Sequence, residues 1–389
     1  MFFDVCFFKH IIKNAALYAL GFYTFLCPGM QQKGTDIKMK IGILTFHFAH
    51  NYGAMLQAYA LKNFLEQKGH SVSIIPYESE RFYRMYHATP FVLKKNPINS
   101  VKKFINYFKV KDQAALFENF KTEKLCISGQ RIANRNCFTK AVTEFDLVIV
   151  GSDQVWNQNI TGGDLVYFGD GVPDNIKLIT YAASMGDYNA INDSTSNLIG
   201  KFDMISVREN NAQTVLSLCG FESVLSTDPV FLLNESSWRK LINSSRMVDE
   251  SYILYYSLQE PRELLEKTAA LAAETKLPVY MIDGRVRNRK MNGTMITKAG
   301  PLEFLELIAN AEYICTDSFH ALAFSVIFGK RVIIIPHKKT GDRMEQLLSL
   351  VGTKPQGEII DCSSLSRDKL EDMITLSKDY LCRFANNYQ

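Results

Sequence analysis

The run Lys40-Ile41-Gly42-Ile43-Leu44-Thr45-Phe46 decides the fold, together with the loop, helix and second apolar run behind it. A polar loop runs from His47 to Tyr52, a helical segment from about Gly53 to Lys68, and the second apolar run from Ser71 to Pro76. In the helical segment Leu56, Tyr59, Ala60, Phe64 and Leu65 recur near i, i+3, i+4 spacing, and Gly69 stops it. A short apolar strand, a helix of matching length and a second strand make a βαβ unit with parallel strands.

The same alternation continues outward. Asp146 to Val150 reads as a buried strand ending in Gly151-Ser152-Asp153-Gln154, and Lys177 to Ala182 as another ending in Ala183-Ser184-Met185-Gly186. Ile205 to Arg208 and Val224 to Asp228 extend the series. A second series begins at Tyr252 to Ser257. It continues through a helix near Pro261 to Thr275, strand Val279 to Ile282, helix Pro301 to Ala309, strand Tyr313 to Thr316, helix His320 to Phe328 and strand Arg331 to Ile335. Residues 81 to 125, rich in Phe, Tyr and Lys, read as helices capping or lining a cleft. The expected fold class is therefore α/β, with two Rossmann-like doubly wound domains facing a cleft. The expected divisions are an extra segment over 1–38, a first domain over 39–235 and a second over 236–389 with terminal helices. At 389 residues the chain fits two domains of common size.

Composition narrows the function. Hydrophobic residues at 47% and charged residues at 22% are the balance of a folded globular chain. A formal charge of +4 over this length argues against a dedicated nucleic-acid binder. The eight cysteines are scattered, with no CxxC pair and none at metal-ligand spacing from a histidine, so reduced thiols of a cytoplasmic protein are expected and no metal site. Near the start, Lys9, His10 and Lys13 precede an apolar run from Ala15 to Cys27 that resembles a signal peptide. Asn14, Tyr18, Gly21 and Tyr23 weaken it, no small-x-small cleavage site comes after it, and it is short of the about 20 apolar residues of a bilayer span. Met39 stands directly before the first strand, so the fold is expected to begin there, with a weak membrane anchor as the alternative for the segment before it.

Ligands of open α/β sheets sit off the carboxyl ends of strands, so the post-strand loops carry the candidate chemistry. Asp317-Ser318-Phe319-His320 opens a helix: Ser318 is a plausible N-cap, the helix end suits a phosphate or carboxylate, and His320 adds a group that titrates near neutrality. A capped helix with a packed histidine is the plain alternative. Arg208, in Ser206-Val207-Arg208-Glu209, can clamp an anion through its planar fork, or pair with Glu209. In Gly151-Ser152-Asp153-Gln154-Val155-Trp156-Asn157 the glycine permits a tight turn, Asp153 and Gln154 offer polar atoms, and Trp156 is either a sugar platform or core. Asn51-Tyr52-Gly53 plays the same part after the first strand, with Gly53 allowing close approach to a ligand. Lys338, Lys339 and Arg343, and Arg285, Arg287, Arg289 and Lys290, are basic loop groups that suit an anion or only solvent.

Taken in order, Asn51-Tyr52-Gly53-Ala54, Val150 to Asn157, Tyr181-Ala182-Ala183-Ser184, Ser206 to Glu209, Asp228-Pro229 and Asp317 to Ala321 resemble the polysaccharide pyruvyl transferase family, from about Met39 to residue 350. The resemblance implies a GT-B-like fold, phosphoenolpyruvate as co-substrate with no other cofactor, and a sugar acceptor that becomes a cyclic pyruvate ketal. It implies His320 as catalytic acid and Arg208 as a donor-binding group. Asp153 is the expected base, with Ser318, Asp317, Ser184 and Arg343 joining Arg208 at the donor, and Asn51, Tyr52, Gly53, Gln154 and Trp156 at the acceptor. Two positions depart from the family: Ser318 stands where an arginine is often found, and Gly151-Ser152-Asp153-Gln154 where a glycine-rich loop is. The same architecture keeps open a nucleotide-sugar glycosyltransferase, since a nucleotide diphosphate also suits helix N-termini and basic loops, and Ser318 keeps open a non-catalytic sugar-binding relative. The expected partner is a nucleotide-linked, lipid-linked or polymeric sugar, with no nucleic acid. The expected place is the cytoplasm, with at most peripheral association at the inner face of the membrane.

Overall fold

The computed structural model describes residues 38–86, 111–127, 129–187, 190–242, 246–282, 292–336, 341–354 and 357–386. The N-terminal basic and apolar run, the basic groups Arg285 to Lys290, and Lys338 and Lys339 lie outside them.

Four parallel strands form the first sheet: β1 (Lys40–Leu44), β2 (Ser71–Ile74), β3 (Leu147–Val150) and β4 (Lys177–Thr180), in the order β2-β1-β3-β4. β1 and β3 are apolar almost throughout because helices cover both faces of such a sheet. The helix α1 (Tyr52–Gln67) connects β1 to β2; Asn51 caps it by accepting from the Ala54 amide. Beyond β4 two short strands, β5 (Ser206–Val207) and β6 (Val224–Leu225), pair in parallel, and bridges Ile179–Met204 and Ala183–Val207 attach them to the first sheet. Helix α2 (Asn210–Leu218) joins them.

The second sheet holds β7 (Ile253–Tyr256), β8 (Val279–Ile282), β9 (Thr294–Ile296), β10 (Tyr313–Thr316), β11 (Arg331–Ile334) and β12 (Ile359–Asp361), in the order β12-β11-β10-β7-β8-β9. All pairings are parallel except β11 with the edge strand β12. Helices α3 (Pro301–Asn310), α4 (Phe319–Ile327) and α5 (Gly341–Leu350) connect its strands, and α6 (Asp368–Asn386) ends the described chain. The chain is thus α/β with two successive doubly wound, Rossmann-like halves of GT-B type.

A shared apolar core joins the halves. One buried cluster runs from Ile41, Met55 and Leu61 of the first half to Leu254, Phe304, Ile314 and Phe324 of the second. Tyr52 stacks on Phe304, with ring centroids 4.5 Å apart and planes 3° from parallel, and its hydroxyl donates to the Ala299 carbonyl (2.9 Å). An edge-on contact of Tyr52 with Tyr256 completes the seam. Trp238, fully buried, donates its indole N–H to the Val230 carbonyl and packs edge-on against Phe324. From α6 the Tyr380 hydroxyl donates to the Thr180 carbonyl at the end of β4, and Ser377 Oγ accepts from the Thr227 amide. Among the described residues no helix is long and apolar enough to cross a membrane.

His47, just after β1, is buried and its ring Nδ1 meets the Thr45 carbonyl at 3.2 Å. Burial lowers its imidazole from 6.5 to about 4. The unfolded chain therefore binds a proton there between pH 6.5 and 4 that the folded chain does not. Folding stability from this group is intact above about pH 6.5 and falls by about 3 kcal/mol as pH drops towards 4. In His47→Asn that slope should disappear, as read from urea midpoints across the window; an unchanged slope would contradict the assignment.

Candidate active site

The carboxyl ends of β1, β3, β4, β5, β6 and β10 deliver one charged cluster. Arg208 leaves β5 and is 3% exposed at its side chain; its Nη1 donates to Asp228 Oδ2 at 2.6 Å. Asp228 comes just after β6 and caps a 3-10 turn, its Oδ1 accepting from the Val230 amide. From the second half, the second residue of α4 sets His320 Nε2 3.5 Å from the same Asp228 Oδ2. One fully buried carboxylate oxygen thus faces a guanidinium from the first half and an imidazole from the second.

That placement governs the electrostatics. Burial alone would raise the Asp228 carboxyl, but the charges of His320 and Arg208 outweigh it and hold the group far below the ordinary carboxylate range. Burial likewise works against the Arg208 charge, and Asp228, Glu209 and Asp153 more than offset it. Asp153 Oδ1 lies 3.7 Å from Arg208 Nη2 and Glu209 Oε2 3.8 Å from Arg208 Nε. These are long contacts, and the Nε and Nη2 atoms of Arg208 have no hydrogen-bond partner among the described residues.

Around this centre the loops are tightly specified. Asp153 lies at φ 74°, a left-handed conformation that costs a non-glycine residue energy, and its Oδ1 accepts from the Gln154 amide. Before it, Gly151 sits at φ 119°, where a Cβ would lie 2.3 Å from the Tyr181 carbonyl oxygen. Arg343 comes from the first turn of α5 and is buried; its guanidinium and that of Arg208 each lie 5.6 Å from the centre of the Phe319 ring. Among the described residues no three His, Cys, Asp or Glu side chains converge as a metal site requires.

The sequence profile of the polysaccharide pyruvyl transferases matches residues 51–339. The chain belongs to that family. No curated protein matches it in sequence. Among solved structures, it is similar to the UDP-GlcNAc 2-epimerase from Neisseria meningitidis bound to UDP-GlcNAc, at 13% identity and a TM-score of 0.47, over 90% of this chain and 94% of that one. The UDP-GlcNAc 2-epimerase from Methanocaldococcus jannaschii, in complex with UDP-GlcNAc and UDP, aligns at 14% identity and 0.43, over 87% and 99%. The glycosyltransferase SnogD from Streptomyces nogalater aligns at 11% identity and 0.42, over 90% and 100%.

Of the residues singled out in the sequence, the structure brings His320, Arg208, Asp153 and Arg343 together. Ser318 adjoins them as the N-cap of α4, its Oγ accepting from the Ala321 amide. Three expected donor or acceptor groups are spent inside the protein. The Asp317 carboxylate accepts from Ser257 Oγ and from the amides of Leu258 and Gln259, so it shapes the loop after β7 instead of meeting a donor. Ser184 donates its hydroxyl to Glu209 Oε1 at 2.6 Å, and that oxygen also takes the Met185 and Gly186 amides. Trp156 is fully buried, stacked on Phe168 and bonded to the Tyr167 carbonyl; it is core and no sugar platform. Tyr52, placed with the acceptor from sequence, is the seam residue described above. Gln154 accepts from the Asn157 amide group and is half-buried, and Asn51 is exposed at its cap.

Two groups central to the geometry carried no assigned role in the sequence. Asp228 was visible only as Asp-Pro after a short strand, a pattern that marks a capped turn and not a charge partner. Glu209 read as a surface mate for Arg208, whereas it is 3% exposed and fills the nest of amides after β4.

Gly53 proves to be a constraint on His320. A Cβ there would lie 1.9 Å from His320 Nδ1 and 2.3 Å from Cγ, so the imidazole rests against the bare backbone of α1. Gly53→Ala should cost about 1–3 kcal/mol through overpacking, despite the better helix propensity of alanine. In a His320→Ala background the cost should vanish. Urea unfolding of the four proteins of this cycle tests the contact; equal costs in both backgrounds would refute it.

Proposed function

We propose that this chain transfers a pyruvyl group from phosphoenolpyruvate to a pair of sugar hydroxyls, forming a cyclic ketal on a capsule, exopolysaccharide or cell-wall glycan. The observation that carries the reading is His320, its Nε2 3.5 Å from Asp228, beside two buried guanidiniums, Arg208 and Arg343, in a chain of this family.

The chemistry fits these residues step by step. His320, in its protonated form, gives a proton to the methylene carbon of phosphoenolpyruvate, and positive charge develops at C2. One sugar hydroxyl attacks C2 and loses its proton to a base, for which Asp153 is placed. The bond to phosphate then breaks, inorganic phosphate leaves, and a second hydroxyl forms the second C–O bond at C2 as its proton passes to the neutral His320. Asp228 is a positioning residue: its Oδ2 stands 3.5 Å from His320 Nε2 and fixes which way the ring faces. Arg208 and Arg343 face the donor's anionic groups, supplying the positive charge that a second arginine would give at position 318. The acceptor approaches on the side of Asn51 and the half-buried Gln154. Phosphoenolpyruvate and activated sugars are cytoplasmic metabolites, which places the reaction there, with lipid-linked acceptors reached from the membrane's inner face.

Incubation of the purified chain with phosphoenolpyruvate and cell-envelope glycans should release phosphate as a ketal forms on the sugar. Release of a nucleotide from nucleotide sugars instead, or no turnover with any acceptor, would overturn the reading. His320→Ala should lower turnover by about 10²–10⁴-fold, the usual weight of a general acid. Asp228→Asn leaves Arg208 without its carboxylate and should cost about 3–5 kcal/mol of stability as well as activity. Chemical denaturation beside rate measurement separates the two effects, and an Asp228→Asn protein with full activity would remove Asp228 from the mechanism.

A further inference from the structure

Where the ladder between β1 and β3 runs out, a side chain extends it. The Gly151 amide bonds the Leu44 carbonyl, and one residue further on the link is made by the hydroxyl of Thr45. Thr45 is fully buried; its Oγ1 donates to the Ser152 carbonyl at 2.9 Å and accepts from Gln57 Nε2 at 3.0 Å. Gln57, equally buried on α1, also donates to the Ala54 carbonyl, so both hydrogens of its amide group are engaged. A hydroxyl has one proton, and with Gln57 donating to Thr45 that proton is left for Ser152. The relay therefore runs one way, from Gln57 through Thr45 to the Ser152 carbonyl. Gln57 Oε1 is buried without a hydrogen-bond partner among the described residues, which costs stability that an apolar side chain there would not lose.

The relay ends directly ahead of Asp153, the residue held at φ 74°. Strained backbone persists only where its surroundings fix it from several sides. On the β4 side the Ser152 hydroxyl donates to the Ala182 carbonyl, and the Asp153 carbonyl accepts from the Ser184 amide. On the β1 side the relay is the tie. Its source on α1 is four residues, about one turn, beyond Gly53, against which the His320 imidazole rests. We infer that Gln57 and Thr45 are positioning residues, which anchor the Asp153 turn to the helix that seats His320 and so set the spacing of base and acid. The catalytic part rests on the reading of Asp153 as the base; the anchoring of the turn does not.

The test uses the full chain and reads local amide exchange and turnover separately. Thr45→Val keeps the shape and loses the hydroxyl. It should speed hydrogen exchange over residues 150–157 about tenfold, the weight of one hydrogen bond, with the second sheet unchanged. Its kcat should fall about 10–100-fold through misalignment, with the KM for phosphoenolpyruvate unchanged. Thr45→Ser restores the hydroxyl and should recover both. Gln57→Met removes the unpartnered carbonyl, so it should melt no lower than wild type and still lose turnover. A purely structural pair would lower the melting temperature and leave kcat intact. In an Asp153→Asn background, Thr45→Val should take away no further turnover. Unchanged exchange in Thr45→Val, or losses that multiply in the double variant, overturns the positioning role. Faster exchange in a protein whose turnover survives Asp153→Asn upholds the anchoring and defeats Asp153 as the base. Exchange needs no substrate, so it decides the anchoring even if no pyruvyl transfer is found.

Discussion

A carboxylate with no exposure, Asp228, is stable as an anion only because charges meet it from two directions. Arg208 reaches it from the end of β5 and His320 from the start of α4, so the contact exists only when both halves are folded and docked. The surrounding construction serves that meeting. Asp317 fixes the loop after β7 beside α4, Glu209 fixes the loop after β4, and Gly53 clears the space in which the imidazole lies. Removing the carboxylate would leave a buried guanidinium short of its closest partner, a larger loss than any single apolar contact nearby.

The core under this cluster explains how so much charge is tolerated. Tyr52, Phe304, Tyr256, Trp238 and Phe324 pack ring against ring across the seam, and each polar atom on the two large anchors, Tyr52 and Trp238, has a backbone carbonyl to bond. Apolar burial at this scale supplies the stability that desolvated ions consume. The strained backbone at Asp153 belongs to the same exchange, since a fixed scaffold is what holds an unfavourable φ in place.

How far the sequence speaks depends on the range of the interaction. Val279–Ile282 and Tyr313–Thr316 are read to the residue, because a strand covered on both faces is a plain apolar run between breakers. The cap Ser318 and the tight turn at Gly151 are local chemistry and equally legible. The edge strands Thr294–Ile296 and Ile359–Asp361 pass unnoticed, since a short, largely exposed edge has no strong apolar pattern. At the site, residue types point to anion chemistry at Arg208 and His320, but which polar groups are spent on the protein itself is set by partners remote in sequence. Asp317 and Ser184 look free in a line of letters and are fully engaged in space. Trp156 fails for the complementary reason: an aromatic after a strand is equally compatible with a ligand platform and with core, and only packing decides.

The stacked seam between the halves has an evolutionary corollary. Two-domain enzymes often diversify by exchanging one half for another, since a hydrated boundary makes each half a separable cassette. Here a cut in the connecting region would strip Tyr52, Phe304 and Trp238 of their neighbours and expose aromatic faces on both fragments. With one apolar cluster spanning both halves, the chain should melt as one cooperative body, each half holding the other's aromatic faces out of water.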